Sequence, residues 1–296
     1  MARYGMPWQG SKSRIAEWVV DVLPPSHTLV DLFAGGCAVT HAALLSGKWE
    51  RIVANDITDS VGVFMEAIHG GFRGYSTVPT RDEFMASEDT ALRMLYSFGN
   101  DRMTYLWGDE IAPLKQAASR MVALPSIHER RMAYMDFCKE LKRYLDTHHG
   151  TIGLDLDGTN GQDVQRLQQH ERLHRLQELE ALERLEALER LDYRLVDVPE
   201  GATVYADPPY RGTPNSSRYG SFDFDAFDQW LAGVDFPVFV SEYDAPAGCV
   251  EIARTERTGT MSATTTKSYT ERIFVQERFY EQCRPKSLFD FMEVDE

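Results

Sequence analysis

Asp207, Pro208, Pro209 and Tyr210 close an apolar run, Ala202 to Ala206, within the hexapeptide YADPPY at 205–210. The run reads as a short strand. Two prolines cannot continue a sheet ladder, because each lacks an N–H donor and each fixes its own backbone. The segment therefore reads as a rigid lip at the C-terminal end of a strand, carrying a carboxylate and an aromatic ring. Open α/β sheets bind ligands at that end of their strands. Plain strand-to-turn punctuation is the alternative reading of the same six residues.

Two further stretches supply similar chemistry. DLFAGG at 31–36 ends an apolar run and leads into a helical pattern. Glycines there let backbone approach a ligand, and the following helix presents its N-terminus. Asp56 closes the next apolar run, about 20 residues on, where an acid commonly accepts hydrogen bonds from ribose hydroxyls. Spacing of this kind points to an adenosine-containing cofactor, although the glycines are not the dinucleotide GxGxxG.

These residues need a scaffold, and the flanking patterns predict one. SKSRIAEWVVDVL (11–23) has helical spacing behind a serine placed to cap it; 27–36 predicts a strand, 37–47 a helix closed by Gly47, and 51–57 a second strand. A strand, glycine loop, helix, strand order favours a parallel sheet. The middle predicts helices near 81–97, 111–123 and 128–147, followed by a polar loop at 148–163. Strands return at 202–207 and 236–244, then near 249–257 and 271–280 as a hairpin with TGTMSATTTKSYT as its loop. The expected division is a catalytic part at 1–71 and 195–296, interrupted by a mainly helical insert at 72–194. Within that insert, 171–191 places Leu at every third position from Leu173 to Leu191. Its composition predicts a helix. At about 100° per residue, however, leucines three apart drift around the axis and make no single stripe. A structural role is expected, as a helix surrounded by other elements or a low-complexity expansion inside the insert; a spacer or self-association helix is the alternative.

The glycine loop with a later DPPY resembles S-adenosylmethionine-dependent amino-methyltransferases. WQGSK, Trp8 to Lys12, resembles the Trp-x-Gly-x-Lys opening of Dam-type DNA adenine methyltransferases, and the order of the segments is similar throughout. YSFGNDRMTYLWG (96–108) resembles phrasing in phage-borne members. The resemblance implies an α/β fold with a Rossmann-like methyltransferase sheet, a C-terminal β-hairpin and an inserted helical target-recognition domain. It implies transfer of a methyl group from S-adenosyl-L-methionine to the exocyclic N6 amine of adenine in double-stranded DNA, with the base flipped out of the duplex. Asp207, Pro208, Pro209 and Tyr210 are then the catalytic residues. Asp207 and the Pro208 carbonyl would each accept one amine N–H, and Tyr210 would stack on the flipped base. Cofactor contacts would come from Trp8, Gly10, Lys12, Asp31, Phe33, Gly35, Gly36, Asp56 and Asp207. The family's second loop glycine falls at position 37, where this chain has Cys37; Gly36 beside it is expected to supply the freedom. Relatives that methylate RNA or a protein glutamine usually carry Asn in place of Asp207. A methyltransferase fold retained only for binding is the remaining alternative.

Composition sets the boundary conditions. The net charge is −15, which argues against general affinity for nucleic acid and requires a local basic face. Arg130, Arg131, Lys139 and Lys142 in the insert, and Arg211, Arg218 and Tyr219 beyond DPPY, are the expected DNA contacts. No apolar run is long enough to span a membrane. The four cysteines form no CxxC pair, no metal site is suggested, and the cytoplasm is the expected compartment.

Overall fold

The computed structural model describes residues 4–69, 77–147, 182–212, 222–262 and 265–283. The chain divides into two compact units, Lys12–Val61 with Ala181–Glu296, and Met1–Ser11 with Gly62–Glu180.

The first of these holds a seven-stranded sheet in the order β3-β2-β1-β4-β5-β7-β6. Its strands are β1 (Thr28–Asp31), β2 (Arg51–Asp56), β3 (Leu185–Glu189), β4 (Thr203–Ala206), β5 (Val238–Glu242), β6 (Cys249–Ser262) and β7 (Thr265–Gln276). β1 to β5 pair in parallel, and β7 joins β5 antiparallel with β6 outside it. β1 and β4 are buried at every position, as continuous apolar strands in a parallel sheet covered on both faces must be. The central β1/β4 pair brings the end of the glycine-loop strand beside the strand that leads into Asp207. Val30, Leu32, Val204, Val238 and Val240 form a core with Phe227 and Leu231. The last two come from a helix capped by Asp223, whose carboxylate accepts the Ala226 N–H at 2.9 Å.

Three expectations are corrected here. Residues 185–189 are strand β3, not helix, so the end of the Leu repeat joins the sheet unit. The rest of the repeat, up to residue 181, lies outside the described residues. β3 pairs with β2 from Ile52↔Leu185 to Asp56↔Glu189, and Arg51 forms an ion pair with Glu186 across the two strands. Leu188 and Leu191 pack against the core. The hydrogen-bonding edge of β2 thus outweighs helix propensity, which is worth only tenths of a kcal/mol per residue. The late hairpin is also longer than expected. Its pairing runs on through Thr258↔Ser268, Gly259↔Lys267 and Thr260↔Thr266, inside the segment expected to be a loop. Finally, the first helix, α1 (Ala16–Val22), begins after Ile15 with no side-chain cap, rather than at a capping serine.

The second unit is mainly helical. Beyond α2 (Ala38–Ser46) of the sheet unit and α3 (Ser60–Ile68), which crosses between the units, come α4 (Arg81–Ala86), α5 (Thr90–Leu95), α6 (Ala112–Ala123) and α7 (Ile127–Thr147). Thr80 and Glu83 form a reciprocal capping box on α4, and Asp89 caps α5. Phe84, Tyr105, Trp107 and Tyr96 make an aromatic core with centroids 5.4 to 6.1 Å apart. Among the described residues no helix is long and apolar enough to cross a membrane.

Candidate active site

The carboxyl ends of the parallel strands gather the acids. Asp207 follows β4 and ion-pairs with Lys12 at 2.8 Å, the two side chains being 18% and 7% exposed. Lys12 comes directly after the turn in which the Ser11 N–H donates to the Trp8 carbonyl at 3.2 Å. Gly10 occupies the third position of that turn at φ +79°, a conformation that requires glycine. Burial pushes the Asp207 carboxyl up, and the Lys12 ammonium opposes that shift. The same ammonium lies 4.4 Å from the Tyr210 ring centroid. Tyr210 donates its hydroxyl to Glu271 of β7 at 2.8 Å and packs edge-wise with Tyr243 at 4.6 Å.

Asp31 ends β1 and is 1% exposed. Its Oδ2 accepts from Thr40 Oγ1 of α2 at 2.7 Å, while Oδ1 is buried with no hydrogen-bond partner among the described residues. Burial pushes this carboxyl up to about 7, against the Thr40 bond and reinforced by Asp207 and Asp56. An orphaned buried carboxylate oxygen at a strand's ligand end has the chemistry to receive a cationic or N–H-bearing group.

Asp56 is engaged within its own chain. Its Oδ2 accepts the Gly35 N–H at 2.9 Å, and Oδ1 accepts Thr58 N–H at 2.9 Å and Thr58 Oγ1 at 2.7 Å. A carboxylate offers about four acceptor sites, so roughly one is left for a ribose hydroxyl. Asp56 also shapes the glycine loop by pinning Gly35. Phe33 sits among Tyr193 at 5.1 Å, Phe222 at 5.9 Å and Phe227 at 6.0 Å.

The left-handed loop positions are Gly35, at φ +49°, and Cys37, at φ +56°; Gly36 is not among them. Gly36 therefore does not supply the freedom expected of it, and a buried cysteine takes the conformation that favours glycine. A non-glycine residue there costs about 1–3 kcal/mol. Cys37→Val is expected to lower stability by more than about 2 kcal/mol, because a β-branched residue is worse still at positive φ. Cys37→Gly is expected to stay within about 1 kcal/mol, with relieved strain offsetting lost side-chain burial. Chemical denaturation of the two variants checks this; a valine variant as stable as the parent would contradict it.

The expected DNA contacts divide. Arg211 is committed within the sheet unit: its guanidinium pairs with Asp228 at 2.6 Å and lies over Phe224, and its N–H donates to Glu242 at 2.7 Å. That side chain holds the DPPY exit. Arg218 and Tyr219 lie outside the described residues. Arg130, Arg131, Lys139 and Lys142 are all exposed on α7. At about 100° per residue Arg131, Lys139 and Lys142 share an arc of roughly 80°. Arg130 points elsewhere and bonds the Leu124 carbonyl. Trp8 is buried in the helical unit under the Arg102 guanidinium, 3.9 Å from the ring centroid.

Sequence reading missed Tyr193, Glu242 and Glu271. Tyr193 follows Asp192 just beyond β3, and recognition of that strand would have shown another acid–aromatic pair at a strand end. Glu242 accepts the N–H groups of both Arg211 and Tyr243 and so ties the DPPY exit to β5.

A mostly parallel seven-stranded sheet with an antiparallel terminal hairpin and acids at its strand ends defines a Rossmann-like methyltransferase fold. Residues 8–98 match the family model described as D12 class N6 adenine-specific DNA methyltransferase. No curated protein matches the chain. The matched stretch includes WQGSK, DLFAGG and Asp56 and ends well before Asp207. It supports a Dam-type enzyme acting on the N6 amine of adenine in DNA, and methyl transfer implies S-adenosylmethionine as donor.

Proposed function

We propose that the chain methylates adenine N6 in double-stranded DNA at the lip formed by Asp207, Pro208, Pro209 and Tyr210. The observation that carries this reading is the 2.8 Å ion pair between Lys12 and Asp207. It joins Lys12, the last residue of the N-terminal motif, to the DPPY lip inside one compact unit. S-adenosylmethionine supplies the electrophilic methyl group when bound; Lys12, Asp31, Phe33, Gly35, Gly36 and Asp56 are the residues of this unit that would hold it. The buried, unpartnered Asp31 oxygen suits such a positively charged cofactor.

The chain's own residues then act on the base. The adenine amine is a poor nucleophile, because its lone pair is delocalised into the ring. Asp207 and the Pro208 carbonyl each accept one N–H, which holds the lone pair in line for attack and favours the positive charge that develops on nitrogen. Pro209 keeps the carbonyl aimed. Tyr210, buried beneath the Lys12 ammonium, would border a base flipped out of the duplex. Expression in a methylation-free bacterial host, with single-molecule sequencing of the genomic DNA, tests the reading. Modified adenines in a sequence motif are expected; unmodified DNA from soluble, cofactor-binding protein would overturn it.

The helical unit is the proposed target-recognition part, with Arg131, Lys139 and Lys142 contacting phosphates. Each phosphate contact contributes about 0.9 to the slope of log affinity against log salt. Replacing the three by alanine is expected to flatten that slope by roughly 2 to 3, measured by fluorescence anisotropy on duplex DNA. An unchanged slope would place the phosphate contacts elsewhere.

A further inference from the structure

We propose that Glu271 is a positioning residue for methyl transfer, holding Asp207 in place through Tyr210 and Lys12. The proposal rests on the reading of the DPPY lip given above.

The contacts form one string across the sheet. Glu271, on β7 and 1% exposed, accepts the Tyr210 hydroxyl at 2.8 Å. That bond fixes where the Tyr210 ring lies. The ring carries the Lys12 ammonium 4.4 Å from its centroid, and the ammonium sits 2.8 Å from the Asp207 carboxylate. Tyr210 is 8% and Lys12 6% exposed, so neither side chain has open solvent to swing into. Tyr210 and Glu271 are 61 residues apart in sequence. β7 thus reaches across the sheet to set the geometry of a lip built at the end of β4.

Charge acts along the same string. The groups facing Asp207 are Lys12 from the segment before α1, Glu271 from β7, Tyr210 from its own loop, Tyr205 from β4, Asp31 from β1 and Glu242 from β5. The Glu271 carboxylate works against ionisation of Asp207, and Lys12, with a smaller contribution from the Tyr210 hydroxyl, works for it. A neutral, isosteric glutamine at 271 retains an acceptor for the Tyr210 hydroxyl and removes the opposing charge. Asp207 then ionises at lower pH.

Two variants of the full-length chain separate positioning from folding. Glu271→Ala is expected to lower kcat ten- to a hundred-fold, with KM for duplex DNA changed less than about three-fold. Glu271→Gln is expected to recover kcat to within about five-fold of the parent and to move the acid limb of its pH profile to lower pH. Equal losses in both variants with an unmoved acid limb would overturn the proposal, as would an alanine variant as active as the parent. A carboxyl-carbon NMR titration of Asp207, without DNA, reads the coupling independently of turnover and needs only the glutamine variant to fold. A parent chain that transfers no methyl group sinks the reaction, and the titration still decides the positioning role. Displacement of Asp207 to lower pH supports it; an unmoved titration overturns it.

Discussion

Asp207→Ala is expected to lower kcat for adenine methylation by about a hundred- to a thousand-fold, the scale for removing one preorganised polar contact to a charge developing in the transition state. It also removes the partner of Lys12, which is 7% exposed and 2.8 Å away. Stripping one member from a buried pair costs about 3–5 kcal/mol, because the remaining charge stays uncompensated. Loss of activity in the alanine variant would therefore combine a chemical and a structural effect. Asp207→Asn separates them: the amide retains an acceptor oxygen for the amine and for Lys12, but not the negative charge that favours a positive nitrogen. Its kcat is expected to fall between the parent and the alanine variant, with a smaller loss of thermal stability. A further variant, Lys12→Met with Asp207→Ala, removes both charges and is expected to be more stable than Asp207→Ala while equally inactive. Kinetics on an oligonucleotide duplex, with thermal unfolding of each protein, check these expectations. Full methylation by Asp207→Ala would sink the mechanism.

Much of the sheet unit was legible because local signals and tertiary structure agree in it. The runs expected as strands at 27–36, 51–57 and 202–207 contain β1, β2 and β4, and Gly47 ends α2 in the left-handed conformation expected of a helix-closing glycine. The failures fall where a distant partner decides the outcome. At 185–189, Glu, Ala and Leu favour a helix, yet β2 supplies a ladder that one segment has to meet. The leucine spacing of three was itself a warning, since a helix gains no buried face from it. In the hairpin, the polarity of a Thr-rich run predicts a loop. Thr is β-branched and suits strands, and β6 and β7 pair through it. Cys37 shows another limit, because backbone strain at a loop residue has no local sequence signature.

Within the candidate site the acids were readable and their partners were not. Asp207 and Lys12 were each legible from a motif, but their ion pair was not, because it depends on where the fold places the segment before α1. Glu271 lies in a strand of ordinary composition, and only the fold brings it to Tyr210. Arg211 shows the reverse. An arginine in a polar loop reads as a phosphate contact, but Asp228, four residues after Phe224 of the same neighbouring helix, already holds it.

Asp31→Asn is expected to gain stability relative to the parent as pH rises. Burial holds the Asp31 carboxyl up to about 7 from an ordinary 3.8. Between those values the native chain retains a proton that the unfolded chain has released, so ν_U − ν_N is negative and this group's contribution falls with rising pH. The loss starts near 3.8 and is complete above about 7, and its full size is about 4 kcal/mol. Asparagine retains the oxygen that accepts from Thr40 and carries no such proton. Urea unfolding of both proteins at pH 5 and pH 8 should therefore show their difference moving in favour of asparagine by about 3 kcal/mol, the share of the loss that falls above pH 5. Parallel pH dependences would mean that Asp31 ionises normally. The same carboxyl links stability to the cofactor. A cation bound near its unpartnered oxygen favours the ionised form, so binding of S-adenosylmethionine should release protons near neutral pH. Calorimetry in buffers of different ionisation enthalpy is expected to show a larger release for the parent than for Asp31→Asn. Equal release would place the cofactor's positive charge away from Asp31, while leaving the stability difference to stand on burial alone.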